Sequence, residues 1–119
     1  GFGSAYLARI VGEKRAREIW YLCRLYDAAS MERWGLVNAV VPLSELRAEV
    51  RRWADEILEC APLSVRASKQ SILDGLNFSS VEEAMAENYE EVMGMVRSQD
   101  FIEGPRAFAE KRKPNWTGA

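Results

Sequence analysis

One short apolar segment limits which folds this chain can adopt. Residues 36–41, Leu-Val-Asn-Ala-Val-Val, form the single convincing strand in the sequence, and Pro42 ends it. Because a lone strand leaves its backbone groups unpaired, we expect it to join a sheet from another part of the protein or from another subunit. Elsewhere the apolar spacing is helical, so the chain is predicted to be mostly α, with about six helices and one short strand.

The predicted helices follow apolar residues spaced three or four positions apart. Asp27, Ser80 and Ser98 are expected to cap helices, and Gly104-Pro105 should kink or restart the last one. The tail after this helix is predicted to be extended and frayed beyond Trp116. The helical segments cover residues 4–11, 13–25, 28–34, 44–60, 63–73, 80–96 and 98–112.

Composition narrows the possible functions. With 16 basic and 18 acidic residues, the surface has no overall charge that would attract nucleic acid or an anionic membrane. No apolar run approaches the roughly 20 residues of a membrane span. The two cysteines, Cys23 and Cys60, lie among helix-spaced apolar residues, which favours buried, reduced thiols in a cytoplasmic protein. The absence of His removes Ser-His-Asp and Cys-His catalysis, and no metal site is predicted.

The first residues, Gly1-Phe2-Gly3-Ser4, have the composition of a glycine turn that opens a helix. No initiator Met, signal peptide or earlier element precedes this turn, so we expect the chain to be the C-terminal part of a larger protein. The pattern lacks the third glycine and the preceding strand of a dinucleotide-binding loop, which argues against that function.

Two stretches, one near each end, have distinctive sequences. Gly3-Ser4 is followed by Leu-Ala-Arg-Ile-Val-Gly at 7–12, by Ala16 and by Gly-Leu-Val-Asn-Ala-Val-Val-Pro at 35–42; residues 103–114 read Glu-Gly-Pro-Arg-Ala-Phe-Ala-Glu-Lys-Arg-Lys-Pro. Both resemble the crotonase (enoyl-CoA hydratase/isomerase) superfamily. The resemblance implies an α/β ClpP/crotonase-like fold. In it, residues 1–42 end the core after the active-site turn, and residues 43–119 form a C-terminal helical trimerisation region.

The resemblance also implies a function. Crotonase relatives hold an acyl-CoA thioester carbonyl between two backbone N–H groups that stabilise an enolate, as fixed dipoles do for developing charge. A hydratase-type acyl-CoA lyase is therefore expected, with a coenzyme A thioester as substrate, no permanently bound cofactor, and a homo-trimeric or hexameric assembly. The family's oxyanion donors and acid-base carboxylates would precede Gly1. No catalytic residue is expected within this chain, which should be inactive alone.

Three residues are carried over as binding residues. Gly3 and Ser4 match substrate-contacting positions, although Ser4 has the alternative of being a helix cap. Lys111 matches a C-terminal lysine that approaches the phosphates or adenine of coenzyme A, and a point charge of this kind suits a phosphate. The alternative for Lys111 is a solvated residue at a helix end, where a cation favours the macrodipole.

Other residues leave the activity open. The N-terminal third is most similar to naphthoate synthase (dihydroxynaphthoyl-CoA synthase) and ketocyclohexane-carboxyl-CoA hydrolases, but Val96 stands where that branch has a catalytic Tyr. A non-catalytic helical oligomerisation module is a further alternative, since unpaired apolar faces need covering. Met85, Met93 and Met95 fit helix packing or an acyl pocket. Phe101, Phe108 and Trp116 fit a core or a subunit interface.

Overall fold

The computed structural model describes the backbone of residues 2–119 and the side chains of residues 3–119. Within these residues the chain forms eight α-helices and no strand. The mostly helical fold is confirmed, with more and shorter helices than predicted. They are α1 (Phe2–Val11), α2 (Glu13–Leu22), α3 (Ala28–Arg33), α4 (Leu46–Leu58), α5 (Pro62–Gly75), α6 (Val81–Ala86), α7 (Glu90–Val96) and α8 (Gln99–Ala109).

The strand predicted at residues 36–41 is wrong for the described part of the chain. Leu36 N donates to Met31 O at 2.9 Å, and Val40 N donates to the Glu32 carboxylate at 3.1 Å. These bonds join the segment to α3, one to a backbone carbonyl and one to a side chain of that helix. A β-ladder needs a second extended segment, and the described residues supply none, so this sequence has strand propensity without a partner.

The chain divides into two compact units, Gly1–Glu49 and Val50–Ala119. In the first unit α1 packs on α2, and the ring of Trp20 lies close to Gly3: a Cβ at Gly3 would be 3.5 Å from Trp20 Cζ2. Arg15 lies over the ring of Trp34, with its Cζ atom 4.4 Å from the ring centroid. Side-chain contacts of this kind, rather than a broad apolar core, connect the helices of this unit.

In the second unit α5 packs on α6 and α7, and α7 contacts α8. The single helix predicted over residues 80–96 is two helices, because Glu87 is extended (φ −71°, ψ 140°). Tyr89 donates its hydroxyl to Ala84 O at 2.8 Å across this break, which satisfies a carbonyl at the end of α6. The predicted restart at Gly104-Pro105 is wrong, since α8 runs through both residues.

The three predicted caps are confirmed. The Asp27 side chain accepts from Ser30 N at 2.7 Å, Ser80 from Glu83 N at 3.1 Å, and Ser98 from Phe101 N at 3.2 Å. Each satisfies a backbone donor that the helix itself leaves unpaired.

The C-terminal tail is bonded to the helices, and the prediction of fraying beyond Trp116 is wrong. Asp100 accepts from Thr117 N at 2.8 Å and from Gly118 N at 2.9 Å, while Gln99 N donates to Ala119 O at 2.9 Å. Trp116 donates its indole N–H to Glu59 O at 2.8 Å. The tail is therefore fixed by hydrogen bonds to the start of α8 and to the residue after α4.

Few apolar side chains are buried in the described part of the chain. Its buried hydrophobic residues are Ala16, Ala67 and Ala107, and larger ones such as Leu25 and Phe108 are strongly exposed. Cys23 and Cys60 are free and exposed, so the prediction of buried thiols is wrong: α2 ends before Cys23 and α4 ends before Cys60, so neither thiol lies on a packed helix face. None of the described helices is long and apolar enough to span a membrane.

Candidate functional site

The predicted substrate-binding residues Gly3 and Ser4 both lie in the first turn of α1. Because α1 already includes Phe2, Ser4 is inside the helix and is not its cap, which corrects that alternative. Ser4 is exposed. Gly3 lies beside the Trp20 ring, and a methyl group on its Cα would be at an ordinary van der Waals distance from that ring. Gly1, the other glycine of the predicted turn, lies outside the described residues.

Lys111 lies in a tight turn that ends α8. Its backbone is left-handed, with φ +53°. Lys111 N donates to Phe108 O at 3.2 Å and Arg112 N to Ala107 O at 3.0 Å. This pair of bonds is the Schellman motif, in which the left-handed position is usually glycine. Helix α3 ends with the same motif, but with glycine at the left-handed position. Gly35 has φ +75°, Gly35 N donates to Glu32 O, and Leu36 N donates to Met31 O.

The two basic residues after Lys111 have carboxylate partners. Arg112 donates to both oxygens of Glu103, at 2.5 and 2.9 Å, and its Nε donates to Glu110 at 2.6 Å. Lys113 Nζ lies 3.2 Å from Glu59 Oε1. Lys111 is exposed, and its ammonium group has no carboxylate partner among the described residues. Among the described residues, Lys111 is thus the one of these three consecutive cations that has no carboxylate partner.

Glu103 is the anionic centre of this turn. Its contacts with Arg112, together with the bond that it accepts from Asn115 N at 2.7 Å, lower the pKa of Glu103 from its ordinary 4.5 to about 2. The same contact with Glu103, followed by that with Glu110, raises the pKa of Arg112 above its ordinary value. Both groups are therefore charged throughout the physiological range, as a two-bond carboxylate–guanidinium pair requires.

An exposed aromatic ring accompanies Lys111. Phe108 precedes it by three positions, is 86% exposed, and supplies the carbonyl that accepts from Lys111 N. The prediction that Phe108 is a core residue is wrong for the described chain; an interface residue stays a prediction. An aromatic face next to a cation can bind a planar base and an attached phosphate.

A second candidate region is a cavity of about 520 Å³ beside α5 and α6. Met85 lines it and is 81% exposed, and Tyr89 forms part of its wall. Met95 instead accepts a hydrogen bond at its sulfur from Ser64, at 3.3 Å, and so contributes to helix packing. Val96, which the sequence resemblance predicts to stand in place of the naphthoate synthase Tyr, is 43% exposed. The cavity is open and apolar, with no acid–base pair among its lining residues.

The described residues contain no group of three or more His, Cys, Asp or Glu side chains that could hold a metal ion. Gly3 and Ser4 belong to the first compact unit and Lys111 to the second. Lys111 is therefore described together with Phe108, Glu103 and Arg112 of its own unit.

Sequence reasoning identified Lys111 but missed the residues that fix it. Glu103 and Arg112 are nine positions apart, beyond the three- and four-residue spacings by which helical ion pairs are recognised. Asp100 was missed for the same reason, since its partners Thr117 and Gly118 are 17 and 18 positions away. The available signal was the concentration of charged residues between 100 and 113 around a proline-containing helix.

The chain is similar in sequence and structure to proteins of one family. A structure of enoyl-CoA hydratase from Bacillus anthracis is 31% identical, with a TM-score of 0.91 over 98% of this chain and 45% of that one. An enoyl-CoA hydratase/isomerase from Mycobacterium paratuberculosis is 30% identical, with a TM-score of 0.92 over 100% of this chain and 47% of that one.

The chain thus spans less than half the length of these two proteins. The sequence model described as enoyl-CoA hydratase/isomerase matches residues 1–119. A match over this whole length, together with the structural similarity, shows that the chain belongs to the enoyl-CoA hydratase/isomerase family of the crotonase superfamily.

Proposed function

We propose that this chain is the C-terminal, coenzyme A-binding part of an acyl-CoA-processing enzyme, a cytoplasmic lyase of the enoyl-CoA hydratase type. The observation that carries the proposal is the turn at the end of α8. It exposes Lys111 without a carboxylate partner among the described residues, while the adjacent Arg112 and Lys113 have such partners. A compact ammonium group in this setting suits a phosphate of coenzyme A.

Phe108 supports the same ligand. Its ring is 86% exposed, and it lies on the helical turn that precedes Lys111. We propose that the adenine base contacts this ring while a phosphate of the same ligand contacts Lys111. Base–aromatic contact tolerates different orientations of the base, so specificity would come mainly from the charged phosphate.

The chemical step in this proposal requires groups beyond those of the chain described here. An enolate derived from a thioester needs two N–H donors directed at its oxygen and a carboxylate or water to move the proton. Gly3 and Ser4 are proposed to contact the acyl part of the substrate, and no residue of the chain is assigned acid–base chemistry. The 119-residue chain by itself is therefore expected to have no hydratase activity.

A homo-trimer or hexamer is the proposed assembly. The second unit exposes Phe101, Ile102 and Val96 at 50%, 69% and 43%. Exposed apolar surface of this extent is typical of an interface, either between subunits or with the remainder of a larger enzyme. A non-catalytic oligomerisation module would explain the same surface, and it would explain an exposed Phe108 as an interface residue, but it gives no role to Lys111, whose ammonium has no carboxylate partner among the described residues.

Naphthoate synthase-like or ketocyclohexane-carboxyl-CoA hydrolase-like chemistry is the second candidate. It is favoured by the resemblance of the N-terminal third and opposed by Val96, whose side chain cannot donate a proton. The corresponding test is turnover of succinylbenzoyl-CoA against crotonyl-CoA by the protein as its gene encodes it. Hydration of crotonyl-CoA alone supports the hydratase proposal, and conversion of succinylbenzoyl-CoA alone overturns it.

Lys111→Met tests the proposed binding site directly. It keeps the length of the side chain and removes its charge, so we expect the affinity for coenzyme A to fall by about tenfold. Lys69→Met, which removes an exposed lysine from α5, is the matched control. Equal affinities of wild type and Lys111→Met, measured by titration calorimetry, would overturn the assignment of Lys111.

A further inference from the structure

The left-handed backbone of Lys111 is unusual in this chain. Only two non-glycine residues of the described chain have positive φ, Cys23 at 47° and Lys111 at 53°. For an L-residue other than glycine, this conformation is unfavourable because Cβ approaches the following carbonyl oxygen. Such conformations persist where surrounding interactions fix the backbone, and they are concentrated at functional sites. The turn at Gly35 shows that the same motif forms here with glycine.

Glu103 supplies interactions that fix this turn. It accepts both bonds from the Arg112 guanidinium, and its Oε1 also accepts from Asn115 N at 2.7 Å. Arg112 is further tied to Glu110 through its Nε. The residues on both sides of Lys111 are therefore held by one connected group of charges, anchored by Glu103 on the body of α8.

The distribution of charge in this group also matters. Glu103 directs both carboxylate oxygens at Arg112, nine positions away in sequence, and not at Lys111. Glu110 is likewise bonded to Arg106 at 3.1 Å and to Arg112 at 2.6 Å. The two carboxylates nearest the turn are thus compensated by arginines, which leaves the Lys111 ammonium without a direct anionic competitor among the described residues.

We propose that Glu103 is a positioning residue for Lys111. Through Arg112 it holds the left-handed turn and so keeps the Lys111 ammonium in place for a phosphate group of the ligand. This inference rests on the proposed function, because it takes Lys111 as a contact to coenzyme A. It adds a residue that does not touch the ligand yet determines how strongly Lys111 binds it.

The test is a double-mutant cycle in the protein as its gene encodes it. Affinities for coenzyme A and for dephospho-coenzyme A, which lacks the 3′-phosphate, are measured by calorimetry for wild type, Glu103→Gln, Lys111→Met and the double variant. We expect Glu103→Gln to weaken coenzyme A binding by about threefold to tenfold and to have no further effect when Lys111 is already Met. Glu87→Gln, at an exposed carboxylate without a hydrogen-bond partner among the described residues, is the matched control.

The dephospho ligand identifies which phosphate Lys111 contacts. If it is the 3′-phosphate, both single variants lose their preference for coenzyme A over the dephospho form; if it is the pyrophosphate, both ligands weaken equally. Either pattern supports positioning, provided that the effect of Glu103→Gln disappears in the Lys111→Met background. An effect of equal size in that background overturns it and identifies a general structural role.

The failures of the two proposals are distinguishable. If Lys111→Met weakens binding and Glu103→Gln does not, positioning by Glu103 is wrong while the coenzyme A site stands. If Lys111→Met leaves both affinities unchanged, the coenzyme A site itself is wrong, and positioning falls with it. Should Glu103→Gln unfold the protein, Arg112→Gln in the same cycle tests the same connection from the other partner.

Discussion

Asp100 and Thr117 are joined by two hydrogen bonds across 17 positions of sequence. Thr117 donates its backbone N–H at 2.8 Å and its hydroxyl at 2.9 Å to the same carboxylate oxygen, and Gly118 N donates to the other at 2.9 Å. Asp100 is only 4% exposed, so a carboxylate is withdrawn from water and compensated by these donors. The bond from Thr117 N is the largest cause of the lowered pKa of Asp100.

Replacement of Asp100 by alanine is expected to release the tail. Thr117 N, the Thr117 hydroxyl and Gly118 N would lose the nearly buried carboxylate that accepts their hydrogen bonds. The melting temperature should therefore fall by several degrees. Amide exchange at Thr117 and Gly118 should accelerate more than exchange within α5. Asp100→Asn keeps one acceptor oxygen and should be intermediate. Asp55→Ala, at an exposed position, is the control, and equal melting temperatures for the two alanine variants would contradict this role of Asp100.

Two glycines inside helices provide a second, paired prediction. Gly94 in α7 has open space where a Cβ would lie, whereas a Cβ on Gly104 in α8 would be 3.3 Å from Trp116 Cη2. Gly94→Ala should raise the free energy of unfolding by about 0.5–1 kcal/mol, because alanine loses less backbone entropy. Gly104→Ala should gain less, since the Trp116 ring must shift while its indole N–H is bonded to Glu59 O.

Denaturant titration of the two variants checks this difference. A gain at Gly104 as large as that at Gly94 would mean that Trp116 moves without cost, and that the ring does not help to hold the tail. The comparison is internal to one protein, so the helix propensity of alanine largely cancels.

Local features of this fold were predictable, and those that depend on distant partners were not. Helical spacing located the helices, and the residue types Asp27, Ser80 and Ser98 identified their caps, because a cap is decided within four residues. Residues 36–41 have strand propensity, yet a strand also needs a neighbour that no local pattern reveals. At the break after α6, Glu87 is extended and the Tyr89 hydroxyl donates to Ala84 O, whereas apolar spacing alone favours a continuous helix.

The candidate site likewise has features that the sequence predicts and features that depend on residues distant in sequence. Lys111 was predicted from a sequence signature, while its left-handed turn was not, since glycine is the residue expected there. The bond between Glu103 and Arg112 crosses nine residues and a helix end, so no helical repeat predicts it. A ligand contact for Lys111 stays a prediction, with a solvated helix end as its alternative; what the structure adds is that Arg112 and Lys113 have carboxylate partners.

Acidification provides a third prediction, for Glu103. Its pKa lies at about 2 in the folded protein and at an ordinary 4.5 when unperturbed. A carboxylate with a lowered pKa stabilises the fold fully above its unfolded value, and this stabilisation is lost as the pH falls from about 4.5 toward about 2. Wild type should therefore lose more stability over that range than Glu103→Gln. Identical slopes of stability against pH for the two proteins would contradict the ion pair, and Glu87→Gln serves as control.

The last prediction separates stability from ligand binding at Lys111. Glycine adopts φ +53° without the steric strain that lysine has there, so Lys111→Gly should raise the free energy of unfolding by about 1 kcal/mol. Gly35→Ala, at the equivalent position after α3, should lower it by a similar amount. Lys69→Gly, inside α5, should also lower it by about 1 kcal/mol, which would show that the gain is specific to the left-handed turn.

The same Lys111→Gly variant should bind coenzyme A about tenfold more weakly, because the ammonium group is lost. Denaturant titration and calorimetry on one preparation measure both quantities. A variant that is more stable and binds less well would show that lysine is kept in an unfavourable conformation for its charge. If stability does not rise, the left-handed turn carries no strain; if affinity does not fall, the Lys111 ammonium has another role.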